Sequence, residues 1–359
     1  MLEQMIYMTP RLLKITARTH LFVTLLMATL IAPIAVPILG VAEAGAAGSA
    51  VVLMYHRFDE PEYPSTNITL EQFEAHITEL KSGPYTVLPL SEIISRMKNG
   101  PDLPDFTVGI SVDDAYASVY QKAWPRLKQA GLPFTVFAST ARVGRSTAYM
   151  NWDQLREMSD GGVTIGNHTV THAHLPIHDK AIVKEEIAQA AEILEKELGT
   201  APDLFAYPYG ESSLAVEEVV RAAGFKAAFA QHSGAFDRSV NSFYLPRFAL
   251  SEKYGHIDRF RMIIRTLPIP VTDVTPRDSL IADVNPPAIG FTVTGDTSRL
   301  GSMSCFVSHE GRARIERLGS VRFEIRITKP MPKGRSRLSC TYRGEKGRFH
   351  WMGRQFYNP

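Results

Sequence analysis

The sequence predicts an α/β protein: a (β/α) barrel followed by a small all-β domain. Three observations carry this. From Val51 onward, short apolar runs alternate with amphipathic helical stretches, about seven or eight strand–helix units in some two hundred residues. The connections are short, so the strands run parallel, and so many units in one domain favour a closed barrel over an open sheet. Past residue 287 the helical period vanishes and short strand-like runs replace it.

The elements follow in order. Val51 to Tyr55 reads as a strand, and Leu70 to Lys81 as a helix with Leu70, Phe73, Ile77 and Leu80 on one face. Val87 to Leu90 is a short strand and Ser91 to Lys98 a helix. Phe106 to Val112 is the central strand, apolar and β-branched with small Gly109 and Ser111. Tyr116 to Ala130 is a helix stopped by Gly131 and Pro133. Strands follow at Phe134 to Ala138, Val163 to Asn167, Leu204 to Tyr207, Ala227 to Ala230 and Leu245 to Leu250. Helices follow at Asn151 to Ser159, Asp179 to Leu198, Ser213 to Ala223 and Ile257 to Arg265. Leu267 to Pro287 is Pro-rich and aperiodic, a linker. Phe291 to Thr294, Ser304 to Ser308, Val321 to Ile327 and Leu338 to Tyr342 read as antiparallel strands.

The N-terminus reads as a targeting segment. Arg11, Lys14 and Arg18 precede an uncharged run from Leu21 to Val41, and Ala42-Glu43-Ala44 fits a small-x-small cleavage pattern. The expectation is an exported protein whose residues 1–44 are a signal peptide, with an uncleaved membrane anchor as the alternative. The expected parts are then a catalytic domain over 50–267, a linker over 268–287 and a β domain over 288–359. That last part holds fourteen Lys/Arg against five Asp/Glu, so a basic module follows a mildly acidic body. Its surplus reads either as a solvated surface or as a hold on glycan or an anionic envelope. Its aromatics Phe349, Trp351, Phe356 and Tyr357 read as β-domain core before sugar platforms. Cys305 and Cys340 are the only cysteines, and export makes a disulfide the first expectation.

The chemistry gathers at strand ends. Asp113-Asp114 closes the central strand, and adjacent carboxylates raise each other's pKa unless a cation or donor compensates. A metal would resolve this, with one Asp as ligand and the other as base. The alternative is a polar turn in which one Asp caps the next helix. His168 and His172 stand four apart after another strand, a spacing that a helical turn would converge on a metal. The alternative there is a hydrogen-bonded histidine cluster. Tyr55-His56 and Tyr207-Pro208-Tyr209-Gly210 end two further strands.

Ser111-Val112-Asp113-Asp114-Ala115-Tyr116, His168-Thr169-x-x-His172 and Phe205-Ala206-Tyr207-Pro208-Tyr209-Gly210 resemble, in order and spacing, three motifs of the polysaccharide deacetylases, the NodB-homology domains of carbohydrate esterase family 4. The resemblance spans about Val51 to Leu267. The opening Met54-Tyr55-His56-Arg57 and the Tyr-Pro-Tyr-Gly form resemble the branch acting on poly-N-acetylglucosamine. The resemblance implies a deformed barrel of the NodB type and one divalent metal, usually Zn2+. It implies that Asp114, His168 and His172 are ligands and that Asp113 is the general base. It gives the backbone N–H of Tyr209 as oxyanion donor and an acetylated polysaccharide as substrate and partner. An O-acetyl esterase of xylan or peptidoglycan, or an inactive glycan-binding protein, are the competing readings.

The sequence departs from the family at three places. Ala115 replaces a Gly, which asks for a turn without positive φ. The Arg of the third motif is missing. The late Leu-x-His that supplies the general acid has no clear match, and His256 is the histidine in the right region, with His56 as another candidate. His76, His174 and His178 read as surface or structural. The glycosylation patterns at Asn67 and Asn167 are discounted, the second because it overlaps the presumed metal site.

Overall fold

The computed structural model describes residues 48–281, 284–295, 297–344 and 347–359. The targeting segment expected over 1–44 lies outside them. Among the described residues no helix is long and apolar enough to cross a membrane.

Seven strands build the rolled sheet: β1 (Ala50–Tyr55), β2 (Thr107–Asp113), β3 (Thr135–Ala138), β4 (Thr164–Asn167), β5 (Leu204–Ala206), β6 (Ala227–Phe229) and β7 (Phe248–Ala249). Their order is β7-β1-β2-β3-β4-β5-β6, every neighbouring pair parallel. The short strand Thr86–Val87 adds to the start of β2. A parallel bridge between Phe229 and Leu245 brings the last turn of chain back to β6, which rolls the sheet into the expected deformed barrel. Every residue of β1 and β2 is buried, as covering both faces of a parallel sheet requires.

Helices α1 (Leu70–Ser82), α2 (Leu90–Asn99), α3 (Trp124–Ala130), α4 (Trp152–Asp160), α5 (Lys180–Leu198), α6 (Leu214–Ala222) and α7 (Ile257–Ile263) surround the sheet. Their starts are chemically marked. Thr69 with Gln72 and Asn151 with Gln154 form capping boxes at α1 and α4. Gly109 lets α2 approach β2, since a Cβ there would stand 2.4 Å from Leu90. His76 is buried, as expected of a structural histidine. It pairs with Tyr55 Oη at 3.0 Å and with the Gly255 carbonyl at 2.7 Å. The helix expected from Tyr116 is helical from Ala117 but is not one regular α-helix: a π-type turn at Val119–Ala123 leads into α3, where Pro125 lacks the N–H a continuous ladder needs.

The C-terminal region is all-β. One sheet runs β8 (Leu267–Pro268), β16 (Phe349–Asn358), β15 (Gly334–Arg343), β11 (Ser304–Val307) and β12 (Gly311–Arg312) in spatial order. The other runs β9 (Val271–Thr275), β10 (Ile289–Val293), β14 (Arg322–Arg326) and β13 (Arg314–Leu318). Phe291, Phe323, Ile325, Leu338 and Phe356 fill the core between them. The stretch read as a linker therefore holds strand β9, whose Pro-rich flanks hid it. Strand β16 was not expected either. Its side chains serve the seam with the barrel as well as the β core, so polarity does not alternate cleanly along it.

Barrel and sheets form one compact unit. Trp351 packs edge-on against Phe248 of β7 at 5.1 Å, and Arg348 pairs with Asp105 at 2.8 Å. Cys305 and Cys340 face each other across β11 and β15 and are joined as a disulfide. In the chain-entropy picture, closing a loop of this length contributes about 3–4 kcal/mol. A double Cys305→Ala/Cys340→Ala variant should lose stability of that order in urea unfolding. A midpoint unchanged from wild type would show that the bridge adds nothing.

Candidate active site

The ends of β2, β4 and β5 converge on one buried cluster. Asp113 is fully buried. Both its oxygens accept from Arg247, Oδ1 from Nη1 at 2.7 Å and Oδ2 from Nη2 at 2.8 Å. Arg247 is itself fully buried, donates from Nε to the Ala230 carbonyl at 2.8 Å, and lies 3.1 Å from Ser111 Oγ. Burial alone would push the Asp113 carboxyl up. The Arg247 guanidinium, helped by His168 and His56, outweighs it and holds the group below the usual carboxylate range. Arg247, which lies outside the three motifs, supplies the cation that the buried Asp113 needs.

Asp114, His168 and His172 are buried, and their ligand-capable atoms lie within 4.8 Å of one another. Nδ1 of His168 sits 2.7 Å from the Ala206 carbonyl, which can only accept, so Nδ1 carries the proton. The Nε2 lone pair then points into the cluster, where this atom has no hydrogen-bond partner. Burial depresses the His168 pKa to about 4, so the ring is neutral at physiological pH. His172 Nε2 is 3.1 Å from Asp114 Oδ1, yet that oxygen makes no aligned hydrogen bond. Burial would raise the Asp114 carboxyl, but the contact with His172 and the fields of His56 and His168 bring it well below the usual range. Buried, unpaired donor atoms of one carboxylate and two imidazoles are what a divalent cation would satisfy.

The backbone here is strained. Asp114 (φ 76°), Ala115 (51°), Thr169 (66°), His172 (63°) and Tyr209 (59°) all occupy the left-handed region. Ala115 therefore does adopt the positive φ that its side chain disfavours, contrary to expectation. The histidines also converge without the expected helical turn. Thr169 N–H donates to Asn167 Oδ1 at 2.8 Å and His172 N–H to Thr169 Oγ1 at 3.0 Å. Glu186 of α5 accepts from the Val170 and Thr171 N–H groups at 3.0 and 2.9 Å. These side chains take the place of a ladder and hold the loop in shape. Asn67 and Asn167 are both buried, so neither is open to glycosylation.

Tyr209 sits at the end of β5, its ring 4.3 Å from that of His172. Its N–H has no acceptor among the described residues, whereas Gly210 N–H donates to Tyr207 O at 2.8 Å. His174, read as surface or structural, stacks on Tyr209 at 4.2 Å and pairs through Nδ1 with buried Glu211 at 2.6 Å. His56 is half-buried and close enough to lower both Asp113 and Asp114. His256 is not brought to the cluster. It is exposed, caps α7 through the Asp258 N–H at 3.4 Å, and faces Asp258. Its region matches the family's late motif in order along the chain, but the helix start turns it to solvent.

Residues 100–228 match the family model described as polysaccharide deacetylase. The chain carries a polysaccharide deacetylase domain. As such it is a hydrolase of polysaccharide acetyl groups. The chain is 27% identical over 245 residues to a poly-beta-1,6-N-acetyl-D-glucosamine N-deacetylase of Staphylococcus aureus, which covers 60% of this deacetylase and 82% of that protein. The solved structure of IcaB from Ammonifex degensii is 25% identical, with a TM-score of 0.56 over 61% of this chain and 98% of that one. Streptococcus pyogenes deacetylase PplD, solved with acetate, shares the fold at 21% identity and a TM-score of 0.57, covering 61% of this chain and 99% of that one.

The Arg247–Asp113 pair gives a signed prediction for the deacetylase. Asp113 is depressed in the folded state, so the pair stabilises above the unfolded carboxyl pKa of about 3.9 and is lost as pH falls through the folded value. Arg247→Met leaves a buried unpaired carboxylate and should cost about 3–5 kcal/mol at pH 7. The deficit should shrink toward acid pH, and the acid limb of kcat/KM should move to higher pH. A deficit equal at pH 3 and pH 7 would refute the coupling.

Proposed function

We propose that this protein is an exported, metal-dependent deacetylase that removes N-acetyl groups from a poly-N-acetylglucosamine-like polysaccharide. The observation that carries it is the convergence of Asp114, His168 and His172, with free ligand atoms, beside a carboxylate held ionised by Arg247. The named relatives support the substrate class. The targeting pattern of residues 1–44 supports export.

The donor set of two imidazoles and one carboxylate suits Zn2+ and leaves positions for water and substrate. A bound zinc would polarise the acetyl carbonyl and lower the pKa of the attacking water. Asp113 accepts that water's proton, and being no ligand it keeps this role free. Tyr209 N–H donates to the oxyanion. The leaving amine needs a proton, and His56 and His174 are the non-ligand imidazoles beside the cluster that can give it, in place of His256.

Purified protein should release acetate from β-1,6-linked N-acetylglucosamine oligomers and not from acetylated xylan; the reverse pattern would establish an O-acetyl esterase. His172→Ala should lose both zinc and activity. Asp113→Asn should keep zinc by elemental analysis while turnover falls about 10²–10⁴-fold, the usual worth of a positioned base. Loss of zinc from Asp113→Asn would make Asp113 a ligand.

A further inference from the structure

The family match ends at residue 228, yet side chains from the last two strands reach the site. In the β15–β16 pairing Arg335 lies opposite Tyr357 and Arg337 opposite Gln355. Alternation therefore puts these four on one face of the hairpin. Gln355 is 1% exposed. Its Nε2 donates to the Tyr209 carbonyl at 3.0 Å, and its Oε1 accepts from Arg337 Nε at 3.0 Å. Tyr244 Oη, 3.2 Å from the Gln355 carbonyl, ties the same strand to the barrel. Arg335 lies over the Tyr209 ring at 5.4 Å and 3.7 Å from Glu211 Oε1. Tyr357 stacks along His174 at 6.2 Å.

We infer that the C-terminal sheet completes the catalytic pocket, with Gln355 as the positioning residue for Tyr209. The peptide joining Tyr209 to Gly210 is held at both ends, its carbonyl by Gln355 and its N–H by Tyr207 O. That grip fixes a non-glycine residue at φ 59°, ψ 4°, a conformation it would leave if released. It leaves the Tyr209 N–H as the unpaired backbone donor of the turn among the described residues. Gly210 cannot substitute for the grip: it is itself at φ 70°, and its Cα already crowds Gln231, whose N would lie 2.5 Å from a Cβ. The basic tail, whose surplus reads from the sequence as a solvated surface or a hold on glycan or an anionic envelope, thus also reaches Tyr209 and Glu211.

This inference rests on Tyr209 N–H serving as the oxyanion donor. Its test uses the full chain with Gln355→Met, which keeps the volume and removes the donor, and Gln355→Glu, which keeps the shape and removes it by charge. Removing an oxyanion donor outright costs about 10²–10³-fold in kcat, so loosening one should cost about 10–100-fold. KM for short N-acetylglucosamine oligomers should change less than about threefold, and zinc content should be unchanged. A purely structural role would instead lower the thermal midpoint and leave kcat of the folded fraction intact. Hydrogen exchange of the Gly210 amide is the second readout and needs no substrate. It should quicken in both variants while β2 and β4 keep wild-type protection. If wild type releases no acetate from any substrate, the proposed function fails and Gly210 exchange alone decides. Wild-type exchange at Gly210 in both variants overturns the inference, as does wild-type kcat.

Discussion

The buried bidentate pair of Arg247 and Asp113 is the interaction on which the site depends. An ionised carboxylate with no solvent access is stable only when a cation and well-aligned donors replace its water. Arg247 provides both, at 2.7 and 2.8 Å. Two adjacent aspartates can then stay charged with different partners, one facing a guanidinium and the other two imidazoles. The division is set by direction along the strand. Asp113 is the last residue of β2 and faces the interior, while Asp114 begins the turn and faces the histidines. The same pair also couples chemistry to closure, because Arg247 sits just before β7, in the segment that rolls the sheet shut.

Strain and its supports are the second half of the arrangement. Of eight non-glycine residues with positive φ among those described, five lie in the candidate site. Each such residue costs about 1–3 kcal/mol and persists only where its surroundings over-determine it. Asn167, Thr169 and Glu186 do so for the histidine loop through side-chain hydrogen bonds rather than a helical ladder. Helix α5 thereby contributes a carboxylate, from Glu186, to the loop at Val170 and Thr171, 16 and 15 residues earlier in the chain. Glu186, one of several charges on that helix, serves as a backbone acceptor.

Much of the barrel was legible because parallel strands buried on both faces and amphipathic helices leave distinct periods. The candidate ligands were legible because carboxylates and imidazoles at strand ends form recognisable spacings. Arg247 was not singled out, although an arginine inside the apolar run Leu245 to Leu250 is a signal in itself: a charge there needs a buried partner. His256 misled because order along the chain is not proximity, and helix capping already employs its ring. Ala115 misled because steric preference was taken as a rule, where the turn between β2 and the next helix imposes its own geometry. Strand β9 was hidden by proline, which is tolerated at strand ends and edges.

The seam between barrel and C-terminal sheets explains the remaining misreading. A small β domain is expected to bury its aromatics in itself, and Phe356 does so. Trp351 and Tyr357 instead face the barrel, one on Phe248 and one beside His174. Sequence alone cannot divide a strand's two faces between its own core and a neighbour when both are half-buried. At the strand ends of the barrel, a strained turn such as Tyr209-Gly210 has few groups of its own to hold it. A β-hairpin laid across that end supplies fixed donors at two-residue intervals, of which Gln355 meets the turn and Arg335 meets Glu211. The basic surplus of the C-terminal region is thus partly spent inside the molecule, on carboxylates and carbonyls of the barrel, and only the rest faces solvent.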